Sequence, residues 1–397
     1  MNAVLRRPEG LALLITLVGL ERFAHYALRG GLRPLIEARL GLDGEGAGVV
    51  RGYITAGVFA AWIVGSVVAD RLLGMRRAVL AGATLAAIGA GLTMTPAPFL
   101  LAMALWVLGA GLLVPSLQAL VGDLHEERHP GRDAAFAWVA LAVNIGAFAS
   151  GLSGGSGAAP IIATLGYAVV AGLFVVARRR MPAERPDLPA PTNAPAWRRV
   201  AALAIVMTCV LIAAIAREVP PAPSDGGAPT TETSTIATGL LALVVMFGGL
   251  PLAFLFGSLD RAGRPPAGAA RVGAGLLVQG AGALILAVGP AGIEVVGMLL
   301  SGLGNLVATI AGQSLVSRLA PARSAALAMA CWLVVPIAGG FLGPWIGSAP
   351  PAAALAIVVA SAGGLLIAVA PRVRAVSEEA EPPARGALGA AAGPPAP

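Results

Sequence analysis

Between Glu21 and Arg33 an otherwise apolar stretch carries six polar side chains: Glu21, Arg22, His25, Tyr26, Arg29 and Arg33. At about 100° per helical residue they fall within a sector of about 140°, a polar stripe with Val18 inside it. A charge at bilayer depth costs roughly 3 kcal/mol even on the mildest scale, so such a stripe should face a wet cavity rather than lipid. Guanidinium forks grip planar anions bidentately. Arg22 and Arg29 against the one acid, Glu21, leave the sector positive and suited to a carboxylate or another anion. Glu21 is a candidate proton carrier. His25 is a second, because an ordinary imidazole titrates at about pH 6.5. A plainer reading stays open, in which Glu21 and Arg22 pair across the helix bundle while His25 and Tyr26 cap neighbours.

A second pattern is His125-Glu126-Glu127-Arg128-His129, literally H-E-x-x-H, which on a helix places two zinc ligands one turn apart with a glutamate as base. Pro130 disfavours a helix there. The remaining histidine, His25, lies far away in the first apolar segment, leaving Asp123 or Asp133 as the available third ligands. No metal, no cofactor and no enzymatic activity are therefore expected. Tyr53, Gln118, Asn144, Gln279, Asn305 and Gln313 are further polar residues within apolar segments, where such side chains commonly bridge helices.

The elements that must position these residues follow from composition. Apolar residues make up 57% of the 397 and charged residues 12%, about half the charge of a soluble domain. Three charge-free runs, Ala78 to Gly122, Ala134 to Ala177 and Ser324 to Pro371, are 45, 44 and 48 residues long. One membrane span needs about 20 residues. Each run therefore reads as two spans about a central turn: Thr95-Pro96-Ala97-Pro98, Ser153 to Gly157, and Gly347 to Pro351. Six more spans are predicted at about 9–33, 48–70, 200–216, 235–258, 272–289 and 292–317, making an all-α integral membrane protein of twelve transmembrane helices. Barrel strands are excluded, since these segments are continuously apolar rather than alternating. The 53 glycines suit close helix packing, and Cys209 and Cys331 supply no disulfide framework.

All 27 basic residues are arginine. With both termini in the cytoplasm most of them fall in cytoplasmic loops, as the positive-inside rule requires. That placement accounts for the net charge of +7 without a nucleic-acid partner. The predicted organisation is an N-terminal six-span bundle over 1–177, a cytoplasmic linker over 178–199, a C-terminal six-span bundle over 200–371 and a disordered cytoplasmic tail over 372–397. Internal repetition supports it. Asp70-Arg71 with Gly74, Arg76 and Arg77 follows the second span, and Asp260-Arg261 with Gly263 and Arg264 follows the eighth.

The first of these loops, Gly65 to Arg77, resembles the G-x-x-x-D-R-x-G-R-R signature of the major facilitator superfamily, with one extra residue on each side of the Asp-Arg pair. The resemblance implies two bundles rocking about a midplane site, with Asp70, Arg71, Arg76 and Arg77 as conformational-switch residues. Four further segments resemble the proton-coupled oligopeptide transporter family. They are Glu21-Arg22-Phe23-Ala24-His25-Tyr26; Val121-Gly122-Asp123-Leu124 with Arg132 to Phe136; Asn144-Ile145-Gly146; and Ser314 to Pro321 followed by Trp332. This implies proton symport of small peptides, with Arg22, Tyr26, Arg29, Asn144 and Asn305 contacting substrate and Glu21 and His25 coupling to protons. The sequence departs from the family pattern at four places. Val18 replaces the first glutamate of the first-span motif, Val114 a fourth-span lysine, Leu250 an eighth-span asparagine and Asn305 a tenth-span glutamate that would hold a peptide amino group.

The expected function is thus secondary active transport, by proton symport, of small peptides or related carboxylate-bearing solutes. The setting expected is a bacterial cytoplasmic membrane, with the chain working as a monomer. An exporter of drugs or metabolites on the same architecture, and a non-transporting receptor or scaffold, are the alternatives.

Overall fold

The computed structural model of the protein describes residues 10–124, 131–152, 157–177, 196–218, 243–244, 246–261, 268–288, 293–346 and 351–379. They form twelve long helices: α1 Leu11–Leu40, α2 Gly44–Val68, α3 Met75–Leu92, α4 Phe99–Asp123, α5 Arg132–Leu152, α6 Ala159–Ala177, α7 Ala196–Glu218, α8 Gly249–Arg261, α9 Gly268–Val288, α10 Glu294–Leu319, α11 Ala325–Ile346 and α12 Ala352–Glu379. Eleven are long and apolar enough to cross a bilayer. The described part of α8 is shorter, at 13 residues, and the upstream part of its predicted span lies largely outside the described residues.

Two helices overrun the lengths read from hydropathy. α1 passes through Pro34 to Leu40 because its outer turns are anchored. The Arg39 guanidinium donates to the carbonyls of Thr93, Thr95 and Ala97 at 2.6–2.8 Å, capping the turn between α3 and α4. Gly41, in the left-handed region at φ 66°, then ends the helix with its N–H on the Glu37 carbonyl. α12 continues past Pro371 to Glu379, so 372–379 is helix rather than the expected disordered tail. Val373 and Val376 are buried there and extend the stripe of Leu366 and Ala370, so apolar packing carries the helix beyond the apolar run.

α1–α6 pack on one another, chiefly as α3 on α4, α1 on α5 and α6, and α2 on α4. In the second half α9 packs on α10 and α12, and α7 on α11 and α12. The two halves repeat at the level of backbone contact. A Cβ on Gly82 of α3 would meet the Gly109 carbonyl of α4 at 2.8 Å, and one on Gly275 of α9 would meet the Gly304 carbonyl of α10 at 2.7 Å. Seven residues on, Gly89 faces Ala102 and Trp106 as Gly282 faces Gly297 and Ser301. Only glycine lets backbones approach this closely, and in lipid such contact replaces the hydrophobic drive for helix association. Cross-half packing runs through α5 on α8 and α10, and through α2 and α4 on α11.

Candidate functional site

The polar stripe of α1 divides into two faces. Glu21 and His25 belong to the buried row Leu14, Leu17, Leu28 and Leu32, which points into the first bundle. Glu21 is bound by its neighbour: Arg22 donates Nε to Oε2 at 2.5 Å and Nη2 to Oε1 at 2.7 Å, a bidentate pair shielded from solvent. His25 is buried among aromatic side chains. Its ring stacks on Trp106 of α4 at 5.1 Å and meets Tyr26 edge-on at 5.4 Å, and its Nδ1 has no hydrogen-bond partner among the described residues. Trp106 in turn donates its indole N–H to the Tyr167 hydroxyl of α6 at 3.0 Å.

The second face carries Arg22, Tyr26, Arg29 and Arg33 at spacings of four, three and four. The Arg22 and Arg29 guanidinium carbons each lie 5.8 Å from the Tyr26 ring centre, and Arg22 is also 5.9 Å from the Trp62 ring of α2. The Nε of Arg29 is buried without a hydrogen-bond partner among the described residues. Arg33 is exposed and pairs with Glu37 at 3.1 Å. Arg22 and Arg33 thus have carboxylate partners, whereas among the described residues Arg29 is held only over an aromatic face.

Asn144 stands half-buried on α5. α5 meets α1 through Ala142 and Gly146, where a Cβ on Gly146 would stand 2.3 Å from the Gly19 carbonyl and 3.1 Å from the Arg22 Cβ. Asn144 is two residues from each, on the face shared with Ala137 and Leu141, which contacts Gly249 of α8. Asn305 is half-buried on α10 and accepts from Arg217 Nη1 of α7 at 3.1 Å; Arg217 also pairs with Glu218 at 3.0 Å. The places where the family resemblance expects charge are apolar or neutral: Val18 and Val114 are buried in the core.

At the end of the molecule marked by Asp70 the halves are joined by polar contacts. Asp70 accepts from the Ala326 N–H at 3.1 Å and the Leu327 N–H at 2.8 Å, capping the amino end of α11. Arg71 and Arg77 are exposed and Arg76 half-buried. The sequence reading missed a deeper cluster. Asp133 of α5 forms an ion pair with Arg271 of α9, accepts from the Ser314 hydroxyl of α10 and lies 3.5 Å from Arg318. Beside Ser314, Gln313 donates to Gln118 at 3.1 Å. Gly122 and Ser317 touch beside them, a Cβ on the glycine falling 2.7 Å from the serine Cβ. The available signal was that Asp133, Ser314 and Arg318 lie in segments resembling the oligopeptide transporter pattern; Arg271 gave none. Residues 125–130, with the H-E-x-x-H pattern, and 262–267, in the second Asp-Arg loop, lie outside the described residues, and Asp260 is described only as part of α8. Among the described residues no three His, Cys, Asp or Glu side chains group to hold a metal ion.

Twelve helices in two repeated bundles, joined across one end by a carboxylate held between arginines, define a polytopic carrier of the two-bundle class. The chain belongs to the Major Facilitator Superfamily, whose family model matches residues 14–330; it is a multi-pass secondary transporter, and that superfamily is one of transporters rather than enzymes. Its sequence is similar to peptide carriers. It is 30% identical over 175 residues to a di-/tripeptide transporter of Lactococcus lactis subsp. cremoris, covering 42% of this chain and 35% of the relative. It is 30% identical over 184 residues to dipeptide and tripeptide permease B of Salmonella typhimurium, covering 44% and 37%. The chain thus spans little more than a third of the length of these relatives. Among solved structures, the POT peptide transporter crystallised with sulfate is 21% identical, with a TM-score of 0.58 over 93% of this chain and 96% of that one. The major facilitator transporter FucP in its outward conformation is 16% identical, with a TM-score of 0.64 over 91% and 98%.

Proposed function

We propose that this transporter carries small peptides or related carboxylate-bearing solutes by proton symport across a bacterial cytoplasmic membrane, with both termini and the Asp70 end in the cytoplasm. The observation that carries the reading is Arg29, a guanidinium set over Tyr26 with its Nε buried and unmet among the described residues, while the fork of Arg22, on the same ring, is filled by Glu21. A proton on Glu21 removes the charge that holds Arg22. The freed fork and Arg29 then grip the cargo carboxylate, so cargo and proton bind together. His25, stacked between Tyr26 and Trp106, is the second group able to take a proton. Tyr26 supports both guanidinium groups, while Asn144 and Asn305 are the contacts proposed on α5 and α10. Alternating access is then a rocking of residues 1–177 against 200–371 that breaks the Asp70 and Asp133 contacts.

The test is counterflow in proteoliposomes with a dipeptide panel, with and without an imposed pH gradient. Arg29→Gln is expected to raise KM for dipeptides at least tenfold, the loss of a hydrogen-bonded charge pair, while Arg33→Gln leaves it unchanged. Equal transport by wild type and Arg29→Gln would falsify the assignment. Uptake that still follows the pH gradient in a Glu21→Gln, His25→Gln double variant would remove both coupling groups.

Export of a drug or metabolite is the second reading. It is favoured by buried Val18 and Val114 and by an Asn305 bonded to a guanidinium rather than poised for an ammonium. Efflux of preloaded solute under an inward proton gradient, without dipeptide counterflow, is the outcome that selects it.

A further inference from the structure

Trp62 of α2 is 5% exposed, and its indole nitrogen is buried without a hydrogen-bond partner among the described residues. An indole N–H can only donate, and buried donors in native proteins are nearly always met. The ring is not free to turn elsewhere. α2 and α4 touch backbone to backbone beside it, where a Cβ on Gly65 or Gly111 would fall 2.4 Å from the opposing chain, and Phe59 packs edge-on at 5.2 Å.

What the ring faces is the Arg22 guanidinium, 5.9 Å from its centre. That guanidinium lies against Tyr26, which in turn touches Arg29 and His25. Among the described residues Trp62 Nε1, Arg29 Nε and His25 Nδ1 are three buried nitrogens without a hydrogen-bond partner, on side chains linked pairwise through Arg22 and Tyr26. Two of the three can only donate. A ligand that meets them must supply several acceptor oxygens and tolerate two arginines, and a carboxylate does both.

We infer that Trp62 is a cargo-binding residue whose indole N–H donates to an oxygen of the cargo carboxylate held at α1. The assignment rests on the carboxylate reading above and adds a contact from α2, so that the anion is gripped between two helices of the first bundle. It also makes the site selective. A neutral amide is not drawn to the guanidinium groups and so does not seat against the indole.

The experiment measures binding of alanyl-alanine and of alanyl-alanine amide to the reconstituted full-length protein, as wild type, as Trp62→Phe, and with 3-benzothienylalanine at position 62. The last keeps the shape of the indole and lacks its N–H, so it decides the matter if Trp62→Phe folds poorly. Expected is a preference of the wild type for the acid, and in the variants a loss of about tenfold for the acid with less than twofold for the amide. Equal losses for acid and amide, or none, overturn the role of Trp62 and leave the carboxylate reading standing. A wild type that binds neither probe, or both alike, sinks that reading and this inference with it.

Discussion

Replacing Asp133 with asparagine tests whether the contacts between the bundles set the resting state. The carboxylate is 4% exposed and lies between Arg271 and Arg318, with the Ser314 hydroxyl donating to it. Asparagine keeps its shape and can still accept from Ser314, but the two guanidinium groups then lose this buried negative charge. Removing one partner of a buried pair costs about 3–5 kcal/mol. The Arg318 side chain is 32% exposed and water softens its loss, so the lower end, about 3 kcal/mol, applies. Once the bundles part, all these groups are hydrated, so the penalty falls on the closed state alone. It shifts the equilibrium toward opening at the Asp70 end by roughly a hundredfold. Ser317 lies in the closed seam against Gly122, so the maleimide labelling rate of Ser317→Cys, in a chain with Cys209 and Cys331 replaced by alanine, reports the opening. The rate should rise by one to two orders of magnitude in Asp133→Asn. It should fall back toward the wild-type value in the charge exchange Asp133→Arg with Arg271→Asp. A rate unchanged in Asp133→Asn, with the protein still folded, refutes the reasoning.

Asp70→Ala removes the cap on α11, a change worth about 0.5–2 kcal/mol, so the same labelling rate should rise by less than in Asp133→Asn; the reverse order would mean that the cap and not the ion cluster holds the end closed. Gly146→Leu must force α1 and α5 apart, because its Cβ would meet the Gly19 carbonyl at 2.3 Å, and it should lower the melting temperature in detergent and abolish transport together. Gly172→Leu, whose Cβ meets nothing within 4 Å, should leave both within error. The two glycines behaving alike would show that the α1–α5 contact is not as tight as described.

Much of the architecture was legible in the sequence because a bilayer leaves few choices. Backbone groups in lipid must be satisfied within a helix, so apolar run length predicts spans, and arginine placement predicts which loops share a side. The overrun of α1 and α12 escaped that reading. Arg39 reaching the carbonyls of Thr93 to Ala97, and Val373 with Val376 extending a buried stripe, depend on neighbours that hydropathy does not see. The α1 stripe was found from spacing alone, but its division was not. Glu21 and His25 turn toward Trp106 and Tyr167 while Arg29 stays over Tyr26, and only the packing of α4 and α6 decides which face is which.

The closing contacts lay furthest from reach. Asp133, Ser314 and Arg318 fall in family-like segments but nothing in the sequence pairs them, and with Arg271 they become a latch only because α5, α9 and α10 meet at this end. By itself the sequence determined a twelve-span α-helical carrier and the charged turn of α1 proposed as its site, since hydropathy and helical periodicity are local properties of the chain. Only the tertiary structure decided which of those charges are satisfied and where the two bundles lock, because both depend on side chains that lie far apart in sequence and meet only when the helices pack.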